Sequence, residues 1–260
     1  MSIQGPVDLR IDVTGRAGGL SGALEQVITV HLPDPSQLTD PPIVIFGFPG
    51  GGVGRGYWCL ETADGAEWSQ ARYHADRGAI FVSVGHLGVG QSTTGNPDDF
   101  TMEVVRAGNI AGVPPPALAR NAPAENLGIW AAKVAANTDL FKQRMYYLSF
   151  FDDSDAGAVR QKFITPAFSR TTPGAAKYML SRGVVAEEAA RIECPVFLGF
   201  GERDTSMHPR QEPAGYLRAN DIQLAIIPGM AHGQNFNGRR RELWERLHPW
   251  VLWVASNVRR

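Results

Sequence analysis

Continuous apolar runs are the feature that most constrains the fold of this chain. One run, Pro42-Ile-Val-Ile-Phe-Gly-Phe48, leads into Pro49-Gly50-Gly51-Gly52, and a second covers Ala79 to Val84. Between them, residues 65–77 carry apolar positions at helical spacing, and Gly78 is placed to end that helix. Strands that are apolar throughout are typical of parallel sheets covered on both faces. The pattern therefore predicts a βαβ unit and an α/β fold.

The alternation of strand and helix returns towards the C-terminus. Strands are predicted at Cys194 to Phe200 and at Ile222 to Ile227, with a helix near Pro213 to Ala219 between them. An amphipathic helix is predicted from about Arg240 to Val258. These segments extend the α/β pattern.

The first 32 residues have a different character. Two segments rich in β-formers, near Val7 to Val13 and Leu24 to Leu32, predict an antiparallel hairpin made of edge strands. From about Ala124 to Ala190, by contrast, helical segments follow one another without a strand, and the last is Val185 to Arg191. Such a run does not fit a strand-helix alternation and predicts a cap or lid. We expect a core over 1–112 and 192–260, with a helical cap at 113–191.

Composition excludes several partners. The chain has 260 residues and a net charge of −1, so no strongly charged surface is expected to attract nucleic acid or an anionic membrane. The opening residues carry neither the basic nor the apolar region of a secretory signal, and no apolar run approaches the ~18 residues of a membrane span. A soluble cytoplasmic protein is the expectation, while its oligomeric state is left open.

Metal and cofactor sites have no support in the sequence. The two cysteines, Cys59 and Cys194, are far apart and are expected to be ordinary small hydrophobes, and the six histidines form no ligand cluster. Neither a P-loop nor a correctly spaced G-x-G-x-x-G occurs. We expect no metal and no cofactor.

An acid and a histidine follow the last two predicted strands. Gly201-Glu-Arg-Asp204 comes after the strand that ends at Phe200, and Pro228-Gly-Met-Ala-His232-Gly233 comes after the next strand. A carboxylate beside an imidazole selects its tautomer and stabilises the imidazolium, so the other ring nitrogen can accept a proton. The alternative is a pair of loop residues that never meet. The order favours a His232-Asp204 dyad.

The order of these elements resembles the α/β-hydrolase superfamily over nearly the whole chain. Phe48-Pro-Gly-Gly-Gly52 resembles the family's oxyanion loop, which implies Gly51 and Gly52 as backbone N–H donors, although a tight structural turn is the simpler interpretation. Gly88-Val-Gly-Gln-Ser92 resembles the glycine turn that follows the fourth strand. The resemblance implies a mostly parallel sheet with helices on both faces and a helical cap, with His232 as general base and Asp204 as its orienting acid.

One part of the family pattern is missing. The nucleophile belongs on a strand between Ser92 and about Asn126, but that interval contains no serine, no cysteine and no G-x-S-x-G turn. It also lacks a run with the character of a buried strand. We expect the central nucleophile strand to be absent, with the gap near Ala111-Gly112, and apolar strand edges left open by it would favour aggregation.

No other residue is a convincing substitute for the missing nucleophile. Ser92 follows the glycine turn and is a minor candidate for lining the cleft, whereas Ser154 fits a helix N-cap better and Cys59 fits a packing role. Of the histidines outside the dyad, His86 and His208 are expected to be structural or peripheral, with a position in the same cleft as the alternative for His86.

Three functions remain open from the sequence. The first is a relative of carboxylic ester and acyl hydrolases that is weak or inactive in this form, with a small apolar acyl or ester-like partner. The second is a cofactor-free enzyme in which His232 removes a proton from the substrate directly. The third is a non-catalytic small-molecule-binding module, with a cleft lined by aromatic residues: Tyr57, Trp58, Trp130, Tyr146 and Tyr147.

Overall fold

The computed structural model describes residues 5–16, 19–50, 53–61, 67–96, 99–100, 185–204, 206 and 208–257. The chain divides into two compact units, and the described residues up to 100 belong to the first while those from 185 belong to the second. The cap helices predicted before residue 185, and the junction near Ala111-Gly112, lie outside the described residues. The division into core and cap therefore stays a prediction.

A four-stranded mixed sheet forms the centre of the first unit. Its strands are β1 (Val7–Asp12), β2 (Glu25–His31), β3 (Val44–Gly47) and β6 (Ile80–Val84), in the order β1-β2-β6-β3. β1 and β2 form the predicted antiparallel hairpin, and β3 and β6 are parallel, as a βαβ unit requires. The prediction that both hairpin strands lie at an edge is wrong for β2, because β2 also pairs with β6 and most of its side chains are buried.

The helix of the βαβ unit is shorter than the sequence predicts. Two-residue strands β4 (Leu60–Glu61) and β5 (Glu67–Trp68) pair with each other, so the backbone before residue 69 is committed to a strand. Helix α1 (Gln70–Ala75) begins where the Ser69 hydroxyl accepts a hydrogen bond from the Arg72 N–H. Gly78 follows it with a φ of +89°, the left-handed conformation that ends helices.

Two apolar clusters hold the first unit together. Val13, Leu24, Leu87 and Phe100 form one buried cluster. In the other, the ring of Phe81 stacks on His74 of α1, with ring centroids 5.9 Å apart, and also contacts Trp58. Leu87, in the turn that follows β6, is fully buried.

The second unit has a parallel pair of strands at its centre. Its elements are α2 (Ala186–Ala190), β7 (Val196–Arg203), β8 (Ile222–Ala231) and α3 (Arg240–Asn257). The predicted helix over 213–219 is wrong: only a 3₁₀ turn forms at Glu212–Gly215, since Pro213 fits a first helical turn but Gly215 disfavours its continuation. Strand β8 continues past its predicted end at Ile227, as far as Ala231.

Helix α3 covers one face of this strand pair. The ring of Trp250 lies 5.6 Å from that of Phe197, and Leu243 lies so close to Gly199 that a side chain there would overlap it. Together with the first unit, this packing establishes an α/β fold. Among the residues described, no helix is long and apolar enough to cross a membrane.

Candidate functional site

Asp204 and His232 are in direct contact at the carboxyl ends of β7 and β8. His232 Nδ1 donates a hydrogen bond to Asp204 Oδ1 across 2.6 Å. The Asp204 side chain is only 2% exposed, whereas that of His232 is 41% exposed. A buried carboxylate therefore holds an imidazole that remains accessible, which is the arrangement of an acid-oriented general base.

The turn that carries Asp204 also satisfies the second oxygen of its carboxylate. Asp204 Oδ2 accepts a hydrogen bond from the Gly201 N–H at 3.1 Å, and the Asp204 N–H in turn donates to the Gly201 carbonyl. Two donors on one buried carboxylate offset much of the cost of removing it from water. They also limit the rotation of the side chain, so Oδ1 is directed at the imidazole.

Two hydrogen bonds hold the chain just after His232. The Gln234 N–H donates to the His232 carbonyl, and Gln234 Nε2 donates to the Gly199 carbonyl of β7 at 2.8 Å. The segment that follows β8 is thus attached to the neighbouring strand. Gln234 was not predicted as a site residue, since a glutamine two residues after the histidine carries no signal of this contact.

Two more residues without a predicted role lie between Gly201 and Asp204. The side chains of Glu202 and Arg203 both bind the peptide groups of Gly229, three residues before His232. The sequence feature that could have identified them is their charge, at the end of a strand and beside a predicted catalytic acid.

The glycine-rich loop belongs to the first unit. Gly51 and Gly52, the predicted oxyanion donors, lie outside the described residues, so their role stays a prediction. The start of the loop is held by His86, whose Nε2 donates to the Pro49 carbonyl at 2.6 Å. After the loop, the chain forms a 3₁₀ turn at Arg55–Trp58.

Ser92 has a structural position. Its hydroxyl donates to the Gly85 carbonyl at 3.1 Å and accepts from the Val27 N–H at 3.0 Å, and the residue is 4% exposed. The hydroxyl therefore joins β2 to the turn after β6. A serine engaged in this way on both sides is not arranged to attack a substrate.

The two cysteines, His208 and the aromatic residues predicted to line a cleft differ in their exposure and contacts. Cys59 is half-buried and its thiol contacts the Arg55 carbonyl, but Cys194 is exposed, which corrects the expectation that both cysteines pack as hydrophobes. His208 is exposed. Tyr57 and Trp58 pack edge to face, with ring centroids 4.9 Å apart. Trp130, Tyr146, Tyr147 and Ser154 lie outside the described residues.

A charged network lies on the hairpin side of the first unit. Arg55 Nη2 contacts Asp8 Oδ2 at 2.9 Å, and Arg55 Nε donates to Thr29 Oγ1 at 2.8 Å. The Thr29 hydroxyl donates to Asp8, and this bond, with the charge of Arg55, holds the pKa of Asp8 below its usual value. Within the described part of the chain, no three acidic, histidine or cysteine side chains are grouped to hold a metal ion.

No protein-family model matches the sequence. No curated protein matches it either.

Solved structures share the fold at low sequence identity. A thermophilic esterase from Thermogutta terrifontis, with malate bound, superimposes with a TM-score of 0.57 at 16% identity over 95% of this chain and 99% of its own. A proline iminopeptidase from Mycobacterium smegmatis gives 0.55 at 17% identity, over 89% and 95% of the two chains. An esterase from Exiguobacterium antarcticum gives 0.57 at 11% identity, over 88% and 96%. The protein has the fold of the α/β-hydrolase superfamily.

Proposed function

We propose that this protein is related to carboxylic ester and acyl hydrolases, with His232 as general base and Asp204 as its orienting acid. The observation that carries the proposal is the 2.6 Å contact between His232 Nδ1 and Asp204 Oδ1, made by a buried carboxylate and an accessible imidazole. With Nδ1 bonded to the carboxylate, proton transfer is assigned to Nε2. The ligand class is a small apolar acyl or ester-like molecule.

Hydrolysis by this chain is expected to be slow. No serine or cysteine occurs between residues 93 and 126, where the superfamily carries its nucleophile, so no acyl-enzyme is expected. In a serine triad that has lost its nucleophile, oxyanion contacts and substrate binding leave only ~10³ to 10⁴-fold catalysis over water. In this chain the base would instead activate a water molecule, which attacks the ester carbonyl directly.

The decisive experiment combines turnover with covalent labelling. Wild type and His232→Ala are assayed with p-nitrophenyl acetate and butyrate, and both are incubated with a fluorophosphonate probe. We expect slow hydrolysis by wild type, its loss in His232→Ala, and no labelled serine. Labelling of a serine would overturn the view that the nucleophile is missing. Equal rates for the two proteins would overturn the role of His232.

Proton transfer without hydrolysis is the second candidate. It is favoured by the same dyad, which needs no serine to remove an acidic proton from a substrate. The measurement is the exchange of substrate α-protons in deuterated buffer for a small ketone or thioester. Exchange that disappears in His232→Ala, without ester hydrolysis, would favour this chemistry. Ligand binding that is unchanged in His232→Ala, with neither reaction present, would favour a binding module instead.

A further inference from the structure

The strand that leads to His232 contains a bulge. In the register of the parallel pair, Gly201 faces Ile227, but Arg203 faces Ala231. Three residues of β8, at positions 228–230, therefore face the single residue Glu202 of β7. Bulges redirect the side chains that follow them, and they are frequent near functional sites. The geometry of this bulge sets the place at which His232 leaves the sheet.

In the bulge, backbone N–H and carbonyl groups of β8 form hydrogen bonds with charged side chains instead of with the backbone of β7. Gly229, with a φ of +71°, donates its N–H to Glu202 Oε2 at 2.8 Å. Arg203 Nη2 donates to the Gly229 carbonyl at 3.2 Å, and Arg239 Nη1 donates to the Pro228 carbonyl at 2.6 Å. Hydrogen bonds to ionised groups are stronger than neutral ones, so these three side chains give the bulge a defined shape.

Gly201 contributes to the same contact by having no side chain. A Cβ atom on Gly201 would overlap the Met230 carbonyl, which belongs to the bulge. All four residues from Gly201 to Asp204 therefore act on the segment between Gly229 and His232. Gly201 allows close approach, Glu202 and Arg203 bind the Gly229 peptide groups, and Asp204 binds the imidazole.

We propose that Glu202 and Arg203 are positioning residues that hold the β8 bulge so that His232 reaches Asp204. This inference rests on the proposed function only where it predicts that Glu202 and Arg203 affect turnover. The geometry it concerns, the His232-Asp204 hydrogen bond, can be observed without a substrate.

The test is NMR of protein labelled with ¹⁵N-histidine. The proton on His232 Nδ1 gives a downfield resonance while it is bonded to Asp204, and Asp204→Asn and His232→Ala identify it. We expect Glu202→Ala and the double variant Glu202→Ala/Arg203→Ala to broaden this resonance and to increase its solvent exchange by a factor of ~3 to 10, the effect of losing one net hydrogen bond. Glu202→Gln retains a carbonyl acceptor for the Gly229 N–H and should preserve the resonance.

Matched controls separate positioning from general loosening. Glu245→Ala and Arg210→Ala remove exposed side chains of the same types and should leave the resonance unchanged. The Trp244 indole proton, which is buried and bonded to Asn235 Oδ1 at 2.9 Å, reports whether the unit is folded. If the double variant loses the Trp244 signal, Glu202→Ala is compared with Glu202→Gln. A His232 resonance that is unchanged in Glu202→Ala, with Trp244 intact, overturns the proposal.

Turnover distinguishes this inference from the proposed function. If wild type hydrolyses p-nitrophenyl esters, Glu202→Ala should lower kcat by a factor of ~3 to 10 with little change in KM, and Glu202→Gln should restore it. A resonance that responds as expected in a protein without hydrolysis contradicts the proposed function and leaves the positioning role intact. Hydrolysis that depends on His232 but is insensitive to Glu202→Ala contradicts the positioning role alone.

Discussion

Asp204 contacts His232 with a carboxylate that is almost completely buried, while the imidazole it holds remains 41% exposed. Asp204 follows β7 and His232 follows β8, so the two side chains differ in exposure although both lie at the same end of one parallel strand pair. Asp204 lies in a turn closed by its own bond to Gly201, and His232 follows the last residue of β8. The pair therefore consists of a buried carboxylate and an imidazole that solvent can reach.

Replacing Asp204 should lower the rate of ester hydrolysis while His232 stays in place. In Asp204→Asn the amide keeps a similar shape, but it no longer carries the charge that selects the tautomer and stabilises the imidazolium. We expect ester hydrolysis to fall by about 10²-fold, at the lower end of general-base effects. Steady-state kinetics with p-nitrophenyl butyrate measure it, and Asp221→Asn is a control at a distant aspartate. An Asp204→Asn rate equal to that of wild type would exclude a role for the carboxylate.

Gly201 is expected to tolerate no side chain. In Gly201→Ala, the new methyl group would overlap the Met230 carbonyl, so β7 and β8 must separate locally. Overpacking of this kind costs about 1 to 3 kcal/mol of the free energy of unfolding. Urea denaturation followed by tryptophan fluorescence tests this. Gly215→Ala, at a glycine with open space around it, should change the stability much less.

Ser92 should matter for stability and not for chemistry. Ser92→Ala leaves the buried Val27 N–H and Gly85 carbonyl without their hydroxyl partner, which should cost about 1 to 3 kcal/mol of stability. Under conditions where the variant is folded, its esterase rate should equal that of wild type. Ser256→Ala removes an exposed hydroxyl and is the matched control. A selective loss of activity in a folded Ser92→Ala protein would contradict the structural role.

Acid should weaken the first unit partly through Asp8. In the folded protein the Thr29 hydroxyl and Arg55 lower the pKa of Asp8. The ionised carboxylate therefore stabilises the fold above about pH 4, the pKa of aspartate in the unfolded chain, and this stability is lost as the pH falls further. Because this side chain is 55% exposed, the contribution is expected to be below about 1 kcal/mol.

The comparison that measures this contribution is denaturation at pH 6, 4 and 3. Asp8→Asn should lose less stability between pH 6 and pH 3 than wild type does. A residual dependence is expected from Asp12 and Asp34, whose pKa values are lowered by bonds from Thr14 and Ser36. Identical pH dependence in Asp8→Asn and wild type would contradict the assignment.

Exposed aromatic side chains on and just after β3 should promote self-association. Phe46 is 58% exposed and its ring lies parallel to that of Phe48, and in the described sheet β3 is at the edge. Phe46→Lys should lower the light scattering of concentrated samples, because charges on edge strands oppose edge pairing. Leu217→Lys, at a residue 77% exposed in the second unit, controls for added charge. Equal scattering by wild type and Phe46→Lys would exclude β3 as the source.

The strands were predictable because their signal is local. Continuous apolar runs identified β3, β6, β7 and the first part of β8, and alternation identified the N-terminal hairpin. The helix predicted at 213–219 does not form, because Gly215 disfavours continuation beyond the single turn that begins at Glu212. The length of β8 also escaped prediction, since Pro228 and Gly229 read as a loop although the chain continues through them as a bulge.

The sequence by itself determined that an acid and a histidine follow two consecutive strands, because the ends of strands can be predicted from local patterns of apolar residues. It also determined that no serine or cysteine occurs between residues 93 and 126. Only the tertiary structure decided that the acid is buried, that the imidazole is accessible, and that Glu202 and Arg203 bind the bulge before it. Such contacts depend on strand register, and register is set by the pairing of residues far apart in the chain.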